Sequence, residues 1–131
     1  MTSDEDQPKM RHGVLLTTNM LFSSMVTGTA LALGQQVAVA SDVVEAVELC
    51  YARPTVFVII DLGMAEIEIG TAVARLREAA GAVPMIAFGS HVDKARLDEA
   101  RVAGCVEVLP RSKFSAELPD VLRRYGTILR S

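Results

Sequence analysis

At 131 residues, half of them hydrophobic, the chain suits one domain that buries about two-thirds of the surface its unfolded form exposes. A net charge of −3 with no clustered basic stretch argues against nucleic acid as a direct partner. The long uncharged stretch from Gly13 to Ser41 is interrupted by Thr17, Thr18, Asn19, Ser23, Ser24, Gln35 and Gln36, so it is no membrane span.

Residues 1–12 begin with acids before bases and lack an apolar core. They read as a mobile tail without a signal peptide, ahead of a domain over 13–131, and favour a cytoplasmic setting. Val14 to Leu16 is a short apolar first strand that ends at Thr17, Thr18 and Asn19. From Met20 to Leu33, apolar residues at three-to-four spacing predict a helix stopped by Gly34. Gln36 to Ala40 is a second strand. Ser41 is read as the N-cap of a helix over Asp42 to Tyr51 with a stripe of Val43, Val44, Val47 and Cys50 facing inward.

Pro54 to Met64 holds the pattern on which the rest depends. Val56, Phe57, Val58, Ile59 and Ile60 run without a polar break to Asp61, as in a strand buried on both faces at the centre of a parallel sheet. Asp61 then lies at a carboxyl end, where open α/β sheets build their sites; the plainer alternative is a solvated acid opening a loop. A helix around Thr71 to Ala80 is closed by Gly81, with Val73, Leu76 and Ala80 inside. Val83 to Phe88 is another inner strand. Ser90 and Asp93 have capping-box spacing for a helix that runs to Ala103 and stops at Gly104. Cys105 to Leu109 is the fifth strand, Pro110 to Lys113 a loop, and Ser115 to about Leu129 the last helix. Cys50 and Cys105 form no CxxC pair or His cluster and read as reduced core thiols.

Five strand–helix alternations with right-handed crossovers give a doubly wound α/β domain, a flavodoxin-like parallel sheet of order 2-1-3-4-5. No GxGxxG follows the first strand, where LLTTNM stands, so a dinucleotide site has no support.

The residues from Val14 to Leu129 resemble the receiver domain of two-component response regulators. Asp61-Leu62-Gly63-Met64 looks like the phosphoacceptor strand end, Val83-Pro84-Met85-Ile86 like the start of strand four, and Arg101-Val102-Ala103-Gly104-Cys105 like the turn before strand five. The resemblance makes Asp61 the phosphoacceptor equivalent, and the departures from it are equally informative. The family's metal-holding acid pair falls on Thr17 and Thr18, its switch hydroxyl on Gly89 with Ser90 next door, and its lysine on Arg111. One carboxylate with two hydroxyls holds Mg²⁺ poorly, and phosphoryl transfer without the metal loses most of its charge stabilisation. The expectation is therefore a degenerate receiver with no cofactor, or with Mg²⁺ bound weakly, in which Arg111 closes the pocket on Asp61 as a bidentate ion pair. Thr17 and Thr18 are expected as strand-end hydroxyls bonded to backbone, and Ser90 and His91 as a helix cap and an exposed loop residue.

The first helix carries no Asp, Glu, Lys or Arg, unlike an ordinary solvated face. Ser24, Gly28 and Ala32 form a small-residue stripe on it, read either as a contact surface for a partner or a homodimer, or as neutral surface. The functional expectation is a single-domain signalling protein, not an enzyme, acting through protein contacts with a sensor kinase or an output protein. The alternatives are a phosphorelay receiver phosphorylated at Asp61 and a small-ligand-binding or enzymatic flavodoxin-like domain.

Overall fold

The computed structural model of the chain describes residues 11–126. In chain order the elements are β1 (His12–Leu16), α1 (Met20–Ala32), β2 (Val37–Ala40), α2 (Val43–Ala52), β3 (Thr55–Asp61), α3 (Ile69–Ala80), β4 (Met85–Gly89), α4 (Lys94–Ala103), β5 (Glu107–Pro110), α5 (Arg111–Ala116) and α6 (Leu118–Gly126). All strand pairs are parallel, in the order β2-β1-β3-β4-β5. This is the doubly wound order that the sequence pattern implies.

The unbroken apolar run of β3 has a direct cause, since each face of the sheet has its own core. Val58 and Ile60 pack with Val14, Leu16, Met85 and Ala87 under α2, α3 and α4. Phe57 and Ile59 pack with Leu15, Ile86, Phe88 and Leu109 under α1, α5 and α6. Alternate side chains of one strand thus enter opposite cores, and a polar residue at either parity would be buried without water. Gly13 lies opposite Phe57 in the β1–β3 register, and the Phe57 ring occupies the space that a side chain on Gly13 would need.

Element ends differ from the sequence reading in ways that follow from local hydrogen bonding. β1 starts at His12, inside the segment read as tail, because the His12 N–H donates to the Pro54 carbonyl at 3.1 Å. The α2 cap is Asp42, whose carboxylate accepts from the Glu45 N–H, while Ser41 is held by the Glu45 carboxylate. The inward stripe also differs: Val44 faces outward, 55% exposed, and Ala46 is in the core with Cys50. The three helix stops read at Gly34, Gly81 and Gly104 are the glycines with positive φ, at 76°, 84° and 111°. Strand four begins at Met85 and not Val83; Pro84 has no N–H for the ladder but gives its carbonyl to the Val58 N–H at 3.0 Å.

The α4 cap is Asp93, not Ser90: the Asp93 carboxylate accepts from the Arg96 N–H, and Ser90 Oγ accepts from the Val92 N–H in the preceding turn. The expected loop at Pro110 to Lys113 is instead the start of α5, with Pro110 at its N-cap. The expected last helix is two, parted at Glu117, and Pro119 sits in the first turn of α6. Its proposed end at Leu129 lies outside the described residues. Among the described residues no helix is long and apolar enough to cross a membrane, and both cysteines are free and buried. Burial pushes the Cys105 thiol up to about 11, which keeps it protonated and unreactive.

Candidate functional site

The carboxyl ends of β1, β3 and β4 meet at Asp61, which is only 5% exposed. The register that pairs Leu16 with Ile60 and Asp61 with Phe88 brings Thr17 beside Asp61, 44 residues apart in sequence. The Thr17 hydroxyl donates to Asp61 Oδ2 at 2.7 Å and accepts from the Asn19 N–H at 3.0 Å. The other carboxylate oxygen, Oδ1, accepts from the Gly63 N–H at 2.8 Å. Thr17 therefore bonds to a side chain as well as to backbone, while Thr18 is exposed.

Arg111 reaches the same carboxylate, with less grip than a bidentate pair. Its Nη2 lies 3.8 Å from Asp61 Oδ1 as a single contact, and the side chain is 39% exposed. The cause is that both carboxylate oxygens already accept shorter bonds and the guanidinium is also held over the Phe22 ring, 5.8 Å from its centroid. Phe22 stacks on Phe88 at 4.8 Å and Phe88 on Phe114 at 4.4 Å, so an aromatic column from α1, β4 and α5 supports the Arg111 side of the site. The absence of a side chain at Gly63 permits the approach: a Cβ there would lie 2.7 Å from Arg111 Nη2 and 3.0 Å from Asp61 Oδ1.

Gly89 is small for a related reason. Leu62, 3% exposed, packs over it so that a Cβ on Gly89 would meet Leu62 Cβ at 3.0 Å. The recess lined by Leu62, Gly63, Gly89, Ser90, Asp93 and Arg111 is only about 40 Å³. That is room for little more than a water molecule and far below the 300–1,000 Å³ or so of ligand pockets. A larger hollow of about 280 Å³ opens elsewhere, between Ser41–Asp42 and Glu66–Thr71, without touching Asp61.

Arg96 was not singled out by sequence reasoning, yet it organises the loop that leaves Asp61. Its Nε donates to the Leu62 carbonyl at 2.8 Å, and its Nη2 donates to the Met64 and Ile67 carbonyls at 3.1 and 3.3 Å. The only local signal was its place three residues after the Asp93 cap, which fixes the turn from which the guanidinium reaches back.

The fit to Mg²⁺ is decided by donors. Among the described residues no three His, Cys, Asp or Glu side chains cluster where they would hold a metal. At this site the Asp61 oxygens already serve Thr17 and Gly63, a guanidinium lies beside them, and the second acid of the recess, Asp93, accepts from the Arg96 N–H as the α4 cap. Mg²⁺ wants near-ideal octahedral oxygen donors and dehydrates reluctantly, so these residues do not fit it.

No family model and no curated protein matches the sequence. Solved structures do match in shape. A CheY-like protein (tadZ) from Pseudomonas aeruginosa PAO1 aligns at TM-score 0.72 and 24% identity, over 94% of this chain and 98% of its own. A response regulator from Hahella chejuensis aligns at TM-score 0.78 and 13% identity, over 93% and 99%. The receiver domain of a sensor histidine kinase from Pseudomonas aeruginosa PAO1, with a magnesium ion coordinated in its active-site cleft, aligns at TM-score 0.73 and 21% identity, over 88% and 98%. At these identities the likeness establishes architecture: the chain has the CheY-like receiver fold of response regulators.

Proposed function

We propose that this chain is a signal-transduction module of receiver type that works through protein contacts, with no phosphoryl transfer at Asp61. The observation that carries the reading is that the protein engages both Asp61 oxygens, Oδ2 through the Thr17 hydroxyl and Oδ1 through the Gly63 N–H, with the Arg111 guanidinium 3.8 Å from Oδ1. Phosphoryl transfer relies on a metal to neutralise the equatorial oxygens, and Thr17 and Thr18 supply no carboxylate to hold one; here the acid serves instead as a buried tie between β1, β3 and the following loop. Protein partners of the two-component kind, a sensor kinase or an output protein, and a cytoplasmic setting follow from the receiver-type reading. The small recess beside Asp61 counts against the small-ligand and enzymatic alternatives at this site. The test is incubation of the purified protein with a small-molecule phosphodonor and Mg²⁺, read by intact mass. Unchanged mass supports the reading. Stoichiometric acid-labile phosphate that disappears in Asp61→Asn refutes it and establishes the phosphorelay alternative.

A further inference from the structure

The outward face of α1 is built unlike that of any other described helix. Met20, Leu21 and Leu31 are 80%, 82% and 70% exposed, and Ser24, Gly28 and Ala32, exposed between them, complete one continuous stripe. At 100° per residue these six positions fall within about a third of the helix circumference. The stripe holds no charge, whereas exposed charges mark the other helices at Glu48, Arg75, Asp98, Lys113 and Asp120. A charged partner would leave its charges unpaired against α1, a costly arrangement. An uncharged helix face of the same shape would not.

The order of sizes along the stripe identifies such a face. Its middle is small, at Ser24 and Gly28, and its ends are large. A two-fold axis passing midway between Ser24 and Gly28 sets two α1 helices antiparallel, with Leu21 against the other copy's Leu31, Met20 against its Ala32, and Ser24 against its Gly28. Large side chains then cover the ends while small ones let the backbones approach at the centre. We infer that α1 is a self-association surface on which a second copy of this chain docks its own α1 in this antiparallel register. Resting on the protein-contact reading above, the inference names one partner for it. A helix of 13 residues is about 20 Å long, so the contact lies at the small end of interface sizes and the dimer dissociates on dilution.

Sedimentation equilibrium over a concentration series tests this. The apparent mass is expected to rise from 14.1 kDa toward twice that value. Gly28→Arg is expected to weaken the dimer by about a hundredfold or more, because a long charge is buried without a partner. The variant should fold as well as the parent, since a Cβ on Gly28 meets nothing within 4 Å and glycine is unfavourable within a helix. Orientation is read with a short thiol-to-thiol cross-linker. Leu21→Cys mixed with Leu31→Cys should couple readily, whereas Leu21→Cys alone should not, its two copies lying about 15 Å apart along the axis. A chain that stays monomeric at high concentration, or cross-links efficient for Leu21→Cys alone, overturns the inference. Because the phosphodonor experiment reads Asp61 and not α1, either proposal can fail while the other stands.

Discussion

Replacing Thr17 by valine keeps the shape of the side chain and removes one hydrogen bond, and its cost measures what holds Asp61. Hydrogen bonds to charged groups contribute about 1.5–3 kcal/mol, and a buried acceptor stripped of its donor bears a desolvation penalty. In this site Asp61 Oδ2 loses its 2.7 Å donor, while Oδ1 keeps the Gly63 N–H. Arg111 compensates little: it is 3.8 Å away and 39% exposed, so water screens it. The expected loss is about 2 kcal/mol, roughly a 6–10 °C fall in Tm for a domain of this size. Urea unfolding of the parent, Thr17→Val, Asp61→Asn and the double variant reads the coupling directly. In the Asp61→Asn background, where the acceptor is neutral, Thr17→Val should cost about half as much. A single-variant cost within about 0.5 kcal/mol, or an equal cost in both backgrounds, refutes the bond as the tie that holds this site.

Arg96→Ala removes three donors from the loop after Asp61; amide exchange at residues 62–68 should accelerate by at least about tenfold while β1 and β3 exchange as before. Unchanged exchange in that loop would show that the guanidinium does not hold it. Burial, ahead of the nearby Arg53 charge, lowers the pKa of His12 from its ordinary 6.5, although a bond to the Leu49 backbone pulls the other way, and its Nε2 has no hydrogen-bond partner among the described residues. Protonation therefore favours the unfolded chain: the stability from a neutral His12 is complete above pH 6.5 and declines as pH falls below it. Thermal unfolding between pH 7.5 and pH 5.5 should show this decline in the parent and a flatter profile in His12→Gln.

The fold was legible because burial on both faces forces β3 to be apolar at every position, and the alternation of such runs with capped helices leaves few topologies. Cap residues were less legible: Ser41 and Ser90 are good caps in isolation, but Asp42 and Asp93 lie one and three residues on and bring a carboxylate to the first free N–H groups. The split of the last helix at Glu117 was hidden because apolar spacing continues across it from Phe114 to Leu118, Val121 and Leu122. Asp61, Thr17 and Arg111 could be gathered from the resemblance, yet their bonding could not. That Thr17 donates to Asp61 depends on the β1–β3 register, and that Arg111 stays at a single long contact is consistent with the guanidinium also lying over the Phe22 ring. Arg96 gave little warning beyond its place three residues after Asp93, since an arginine on a polar helix ordinarily faces solvent.

Whether the carboxyl end of β3 is a structural tie or a phosphoryl-accepting site is decided most directly by amide NMR during titration with Mg²⁺ and a beryllofluoride phosphate mimic. The engaged carboxylate of Asp61 and the lack, among the described residues, of a three-ligand metal cluster predict spectra that stay unchanged at Thr17, Asp61, Gly63 and Ser90. Saturable shifts at those amides that require both Mg²⁺ and the mimic, and that vanish in Asp61→Asn, would contradict the account.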